Sequence, residues 1–271
     1  MARALGLVGG AGALPALMAG EARGEGWRVV AFTLGDPGAL DGLADVVVPC
    51  RLGEVAPVLE TLTREGIRHV VLAGRVWKDG LFQGAALDET ARALLGRSPD
   101  WTDEGLLRTA ASALEAMGIE LLDQRRFLAS WLAPAGRIAG PEPDRGVRDD
   151  VARGLELARE VARHGIGQTV VVRKGTVVAV EAMEGTDEAI RRGLALAGPG
   201  GVVVKASSPS HDYRFDVPAV GRTTVSLCVA GRAAAVAVEA HRVLLVEREA
   251  LEAEAERAGL SVVGIGDAGA D

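Results

Sequence analysis

The amino-acid sequence predicts a two-domain α/β protein, and three observations lead there. At 271 residues the chain is longer than one hydrophobic core usually organises. Its apolar share of 48% is mostly Ala, Val and Leu, with aromatics at 3%, so the interior must be built from aliphatic layers. Parallel sheets covered by helices are built that way. Short aliphatic runs also alternate with amphipathic stretches through the first half, which is βαβ rhythm.

Taken in order, a strand at 4–8 meets a glycine turn, a helix runs to about Gly24, and strands follow at 28–34 and 44–49. A helix over 54–65, ended by Gly66, leads into the buried-type strand 69–73, and helical patterns follow at 87–95 and 103–116. Pro134, Gly136, Gly140, Pro141 and Pro143 then break all periodicity, so 134–146 reads as a linker between domains 1–133 and 147–271. The second domain opens with a helix over 147–163. Runs at 168–173 and 176–182, joined by Lys174-Gly175, read as a β-hairpin, because the glycine supplies the positive φ of a tight turn. Beyond a helix at 187–197, strands are expected at 202–205, 223–229, 243–246 and 260–265, and helices at 232–240 and 248–258. The second sheet is therefore expected to be mixed.

Composition also excludes partners. The 30 Lys and Arg are scattered among 37 acidic residues for a formal net charge of -7, so no basic stripe exists to neutralise a nucleic-acid backbone. Cys50 and Cys228 lack metal or redox spacing, which fits a reducing, cytoplasmic setting. No apolar run reaches the roughly 18 residues of a membrane span, and the first residues are too quickly ended by glycines to be a signal peptide.

Four segments carry side chains or amides with chemical potential. Gly9-Gly10-Ala11-Gly12 joins the first strand to the first helix, where bare amides can receive an anion or the glycines can simply allow close packing. The dinucleotide fingerprint is incomplete, since Pro15 replaces its third glycine and Asp36 lies past a turn glycine. Asp103, Glu104 and Arg108 begin one helix behind Thr102, a site or a compensated helix dipole. Glu181, Glu184 and Asp187 could meet a divalent cation through oxygen ligands, with Gly185 allowing a sharp bend and Thr186 opening a helix. Most unusual is Lys205 to Asp216, which follows a buried-type strand and gathers Lys205, His211, Asp212, Tyr213, Arg214 and Asp216. Long polar loops at strand ends tend to be functional. Lys205, His211 and Arg214 suit phosphate, and Asp212 or Asp216 a cation or a water.

Together these segments resemble the UDP-2,3-diacylglucosamine pyrophosphatases of lipid A biosynthesis, in their LpxI branch. The matching stretches are 6–15, 73–76, 103–108, Gly167-Gln168, 179–187 and 214–221, in family order. The resemblance implies a Rossmann-like first domain, an α/β second domain of its own type, a substrate held between them, and a homodimer. It implies Mg²⁺-dependent hydrolysis of UDP-2,3-diacylglucosamine to UMP and 2,3-diacylglucosamine 1-phosphate (lipid X), with water directed to the sugar-side phosphorus. An acylated UDP-sugar as substrate adds peripheral contact with the inner face of the cytoplasmic membrane to the expectation.

On that resemblance Asp216 matches the essential aspartate, as metal or water ligand. Arg214 and Lys205 join it as catalytic candidates on phosphate, and Glu181, Glu184 and Asp187 as metal ligands. Gly10, Ala11, Gly12, Gly74, Asp103, Arg108, Gln168, Thr186 and His211 are expected at the substrate. The chain departs from its relatives at Ser208 and His211, where a second Lys and a Gln are common, and at Glu104, where an Asp is. Hydrolysis of another nucleotide-sugar or phosphorylated metabolite, or non-catalytic binding of a nucleotide or lipid, stays open.

Overall fold

The computed structural model describes residues 3–76, 86–99 and 102–266, without the side chains of Asp103 and Glu104. It divides into two compact units, the first comprising residues up to Leu128 together with Asp212–Asp216, the second Ala129–His211 and Val217 onward.

The first unit is a parallel five-stranded sheet, β1 (Ala4–Gly9), β2 (Arg28–Thr33), β3 (Val46–Pro49), β4 (His69–Ala73) and β5 (Glu120–Leu121), in the order β3-β2-β1-β4-β5. Chain order reverses between β1 and β4, the switch point at which such sheets open a crevice beyond their carboxyl ends. Helix α1 (Leu14–Gly24) buries Pro15, Met18, Ala19 and Ala22, spacings of three and four that face the sheet. Helix α2 (Ala56–Arg64) and helix α3 (Glu89–Leu95) share a cap: Asp88 accepts from Val55 and Ala56 at 2.7 and 2.8 Å and from Ala91 at 2.7 Å. Helix α4 (Asp103–Ala116) is capped by Thr102, whose hydroxyl accepts from the Gly105 amide at 3.0 Å. The short helix α5 (Arg125–Leu128) closes the unit, and the aliphatic core around Val30, Phe32, Leu62, Ile67, Val70 and Ile119 also receives Phe215.

The second unit holds a six-stranded mixed sheet in the order β6-β13-β11-β9-β7-β8. Its members are β6 (Gly136–Ala139), β7 (Thr169–Arg173), β8 (Thr176–Val180), β9 (Val202–Lys205), β11 (Ala235–Glu239) and β13 (Ser261–Ile265). The central strands β9, β11 and β13 run parallel, and β6 and β7 pair antiparallel to them at either side. A separate parallel pair joins β10 (Ala219–Val220) to β12 (Leu244–Leu245). Helix α6 (Arg145–Arg163) lays Val151, Leu155 and Ala158 on one face of the sheet. Helices α7 (Thr186–Ala197), α8 (Arg222–Ala230) and α9 (Arg248–Ala258) cover the other with Ile190, Leu194, Val225, Cys228 and Leu251.

Three expectations are corrected. The stretch 134–146 is no linker: Gly136–Ala139 adds an antiparallel strand beside β13, and the Asp144 carboxylate caps α6 through the Val147 amide at 2.9 Å. Residues 223–229, β-branched and read as a strand, lie in α8, where Thr224, Val225 and Cys228 form a buried helical face. Residues 232–240, alanine-rich and read as helix, supply β11, buried at every position from Ala235 to Glu239. Small Ala side chains suit a central strand pressed by helices on both faces, and tertiary packing outweighed local propensity in both segments.

Candidate functional site

In the first unit the glycine turn leaves β1 for α1. The Gly10 amide donates to the Ala73 carbonyl at 2.8 Å, the Ala11 amide to Arg75 at 2.8 Å, and the Arg75 amide back to Ala11 at 2.9 Å. Two amides expected to face a ligand are therefore spent on joining the exits of β1 and β4. A Cβ on Gly10 would stand 2.3 Å from the Arg75 carbonyl oxygen, so this glycine permits backbone contact. Gly74, expected at the substrate, has φ +82° and lies against the Ala11 carbonyl and Pro15. What remains open is a cavity of about 230 Å³ bordered by Gly12, Ala16, Thr33, Gly35, Asp36 and Leu40. One oxygen of Asp36 is used by the Gly38 amide at 2.9 Å.

The candidate segment 212–216 is built into this same unit. Asp212 accepts the Arg214 amide at 3.1 Å and then grips its guanidinium, Nε to Oδ1 at 3.0 Å and Nη2 to Oδ2 at 2.8 Å. A second Asp-x-Arg turn repeats the arrangement: Asp123 accepts the Arg125 amide at 2.8 Å and binds its guanidinium at 3.1 and 2.6 Å. The two turns are joined, since the Gln124 amide donates to the Tyr213 carbonyl at 3.0 Å and the Arg125 guanidinium stacks 3.7 Å from the Tyr213 ring centre. Arg214 also reaches Glu115 at 3.3 Å. The Arg214 guanidinium holds the Asp212 carboxyl below the usual carboxylate range, with the charge of Arg108 adding to it. Arg214, expected on phosphate, is thus engaged by two carboxylates, and both oxygens of Asp212 are on its guanidinium. Asp216 is exposed at the end of this segment. Sequence reading missed Glu115, Asp123 and Arg125; the recurrence of Asp-x-Arg in both halves was the available signal. The side chain of Asp103 lies outside the described residues.

A second cluster lies in the other unit. Glu181 follows β8, and Gly185, at φ +81°, turns the chain into α7. The Thr186 hydroxyl donates to Glu181 Oε1 at 2.8 Å and accepts from Lys205 Nζ at 2.8 Å, while the Gln168 amide donates to Glu181 Oε2 at 3.2 Å. Lys205 is only 6% exposed. Burial would push the Glu181 carboxyl up, but the Lys205 charge, the nearby Thr169 hydroxyl, the Thr186 hydroxyl and the Gln168 amide outweigh it and hold it below the usual range. Thr169 contributes without reaching hydrogen-bond geometry. Lys205, Thr186 and Glu181 thus form one chain of hydrogen bonds. His211 sits in the following loop, its amide on the Ser208 carbonyl at 3.0 Å, and Ser208 and Ser210 hydroxyls are 3.2 Å apart.

Within the second unit the three expected metal carboxylates do not converge. Glu184 turns to Arg192 at 2.6 Å, and Glu181 is bound as described. Asp187 lies near Cys228, whose thiol is pushed up to about 12 by burial first and by that carboxylate second. Among the described residues no group of three or more His, Cys, Asp or Glu side chains converges as a metal ligand set. Mg²⁺ commonly takes one or two carboxylates and completes its shell with phosphate oxygens and water, so these residues fit such a partial share and not a ready-made cage.

A parallel sheet of reversed strand order in one unit and a mixed, helix-covered sheet in the other define a two-unit α/β protein with polar groups at its strand exits. The LpxI N-terminal domain model matches residues 4–131 and the LpxI C-terminal domain model residues 134–263. The chain belongs to the LpxI family. It is 34% identical to the UDP-2,3-diacylglucosamine pyrophosphatase LpxI of Caulobacter vibrioides over 97% of this chain and 98% of that one. Among solved structures, an N5-carboxyaminoimidazole synthetase from Staphylococcus aureus is 13% identical with a TM-score of 0.27. It covers 67% of this chain and 41% of that one. The glycinamide-RNase-transformylase T of Mycobacterium tuberculosis is 19% identical with a TM-score of 0.26, covering 67% and 44%. The chain thus spans about two fifths of these structures.

Proposed function

We propose that the protein hydrolyses the diphosphate of UDP-2,3-diacylglucosamine, releasing UMP and 2,3-diacylglucosamine 1-phosphate. The observation that carries this reading is the full-length correspondence with the Caulobacter vibrioides pyrophosphatase, both domains included. The geometry supports it with a lysine whose position is held by a neighbouring carboxylate. Glu181, ionised at neutral pH, takes the Thr186 proton in a hydrogen bond, which turns a Thr186 lone pair toward Lys205. An ammonium has three donors, so Lys205 keeps two for phosphoryl oxygens on which negative charge builds. Asp216, exposed beyond the Asp212–Arg214 turn, is the carboxylate proposed to orient the attacking water.

Magnesium dependence is part of the proposal, and Asp216 would be the residue that holds the cation beside the diphosphate. When bound it would neutralise phosphate charge. A homodimer working in the cytoplasm, in peripheral contact with the membrane that supplies an acylated substrate, completes the reading; no described helix is long and apolar enough to cross a membrane.

The test is UMP release from UDP-2,3-diacylglucosamine with and without Mg²⁺. Activity is expected with the acylated substrate and not with soluble UDP-sugars, and Asp216→Ala should lower kcat by about 10²-fold or more. In H₂¹⁸O the label should enter 2,3-diacylglucosamine 1-phosphate, since attack at the sugar-side phosphorus leaves UMP unlabelled. No release of UMP by the folded protein overturns the reading.

A further inference from the structure

The second unit contains a buried ionic cluster whose charged residues, Arg159, Glu239 and Arg242, were not among the candidate site residues. Glu239, 2% exposed, ends the central strand β11. One of its carboxylate oxygens accepts from Arg159 of α6, Nε at 2.9 Å and Nη2 at 2.7 Å. The other accepts from the Ser207 amide at 2.9 Å and the Ser207 hydroxyl at 3.2 Å, with Arg242 Nε 3.5 Å away. Arg242 in turn donates to the Ser207 hydroxyl at 2.9 Å and to the carbonyls of Ser208 and Pro209 at 2.5 and 3.2 Å.

Burying a carboxylate costs several kcal/mol of desolvation, and apolar side chains of equal volume often stabilise as well. Stability alone therefore does not call for this cluster. Apart from the ion pairs among its three charged side chains, these contacts end on residues 207–209, where the chain leaves β9: three on backbone groups and two on the Ser207 hydroxyl. Lys205 is the last residue of β9 and pairs in register with Val238, the neighbour of Glu239. Strand alternation puts Lys205 on the α7 and α8 face with Val203, and Glu239 on the α6 face with Ala237. The cluster thus grips the loop from the face opposite the Lys205–Thr186–Glu181 chain.

We propose that Glu239, with Arg159 and Arg242, is a positioning device for the reaction: it sets the course on which the segment from Lys205 to Asp216 leaves its strand. The side chains act through Ser207, Ser208 and Pro209 and do not touch the reacting atoms. The catalytic half of this inference rests on the pyrophosphatase reading; the structural half does not.

The experiment combines kinetics with hydrogen exchange on the full-length protein. Glu239→Gln removes the charge that holds both arginines, and Arg242→Lys keeps a cation but loses the fork whose Nε reaches the Ser207 hydroxyl and whose Nη2 reaches two carbonyls. Amides in 207–211 should exchange about tenfold faster or more in both variants while β9 and β11 keep their protection. On UDP-2,3-diacylglucosamine, kcat should fall about tenfold or more with KM within about threefold of wild type. Unchanged exchange at 207–211 in the folded variants overturns the inference. Faster exchange with unchanged kcat overturns its catalytic half. Should Glu239→Gln fail to fold cooperatively, Arg242→Lys decides alone. Wild-type protein that releases no UMP would sink the activity reading instead, and the exchange data would still decide whether the cluster orders the loop.

Discussion

Glu181 is the residue where burial and charge compete most directly, and the outcome has a pH signature. Its carboxyl is held below the ordinary range in the folded chain, so the stability it contributes is fully present above the unfolded value of about 4.3 and is lost as pH falls through the folded value. Glu181→Gln should destabilise by about 1–3 kcal/mol at pH 7, because a charged hydrogen-bond acceptor is lost beside buried Lys205. That gap should narrow as the solution is acidified below about pH 4. Urea unfolding of both proteins at the two pH values checks it; a gap that widens on acidification would contradict the assignment. Asp212 also has a lowered carboxyl, held first by Arg214, but both side chains are about a third exposed, 30% and 36%. Screening there limits the pair to about 1 kcal/mol or less.

At the scale of elements, Gly10 and Gly12 occupy one turn for different reasons. Alanine at Gly10 would drive a methyl into the Arg75 backbone and must part the exits of β1 and β4, costing about 1–3 kcal/mol. Gly12 has open space around it but φ of +96°, so alanine there should cost about 1 kcal/mol from backbone conformation alone. Thermal unfolding of the two variants should rank them in that order, and equal losses would remove the close-approach argument. The glycines were visible in the sequence; what the Gly10 and Ala11 amides bind was not, because Ala73 and Arg75 are more than sixty residues away in the chain. The same limit explains the exchanged roles of 223–229 and 232–240. A Thr-Thr-Val run carries strand propensity and an Ala-rich run helix propensity, yet burial of Ala235–Glu239 on both faces decided the matter. The βαβ order of the first half was legible because β1 to β4 are mostly apolar runs that end in, or are followed by, Gly, Pro or Thr, whereas the two-residue β5, Glu120–Leu121, gave no such signal. Glu181 and Thr186 stood out as polar groups after an apolar strand, and Glu239 did not, because a single acid in Ala235–Glu239 looks like the solvent side of a helix.

At the scale of the whole molecule, residues 212–216 are contributed to the first unit by a chain that is otherwise building the second. Phe215 joins the apolar core of the first unit, and Tyr213 supplies both a carbonyl for Gln124 and a ring for Arg125. A fragment ending at Leu128 should therefore melt below its attainable temperature. Adding a peptide of sequence 210–218 should raise Tm by roughly 2–8 °C, and the same peptide with Phe215→Ala should raise it less. No shift with either peptide would mean that the segment contributes nothing to the unit's stability. During synthesis the ribosome makes the first 128 residues long before Phe215 emerges, so the earlier unit must wait, with an unfilled place in its core, for the later one to be translated. A chimera that exchanges first domains between two family members at the obvious boundary would leave those five residues behind, mismatched to their new seat, and the cut would have to be made twice.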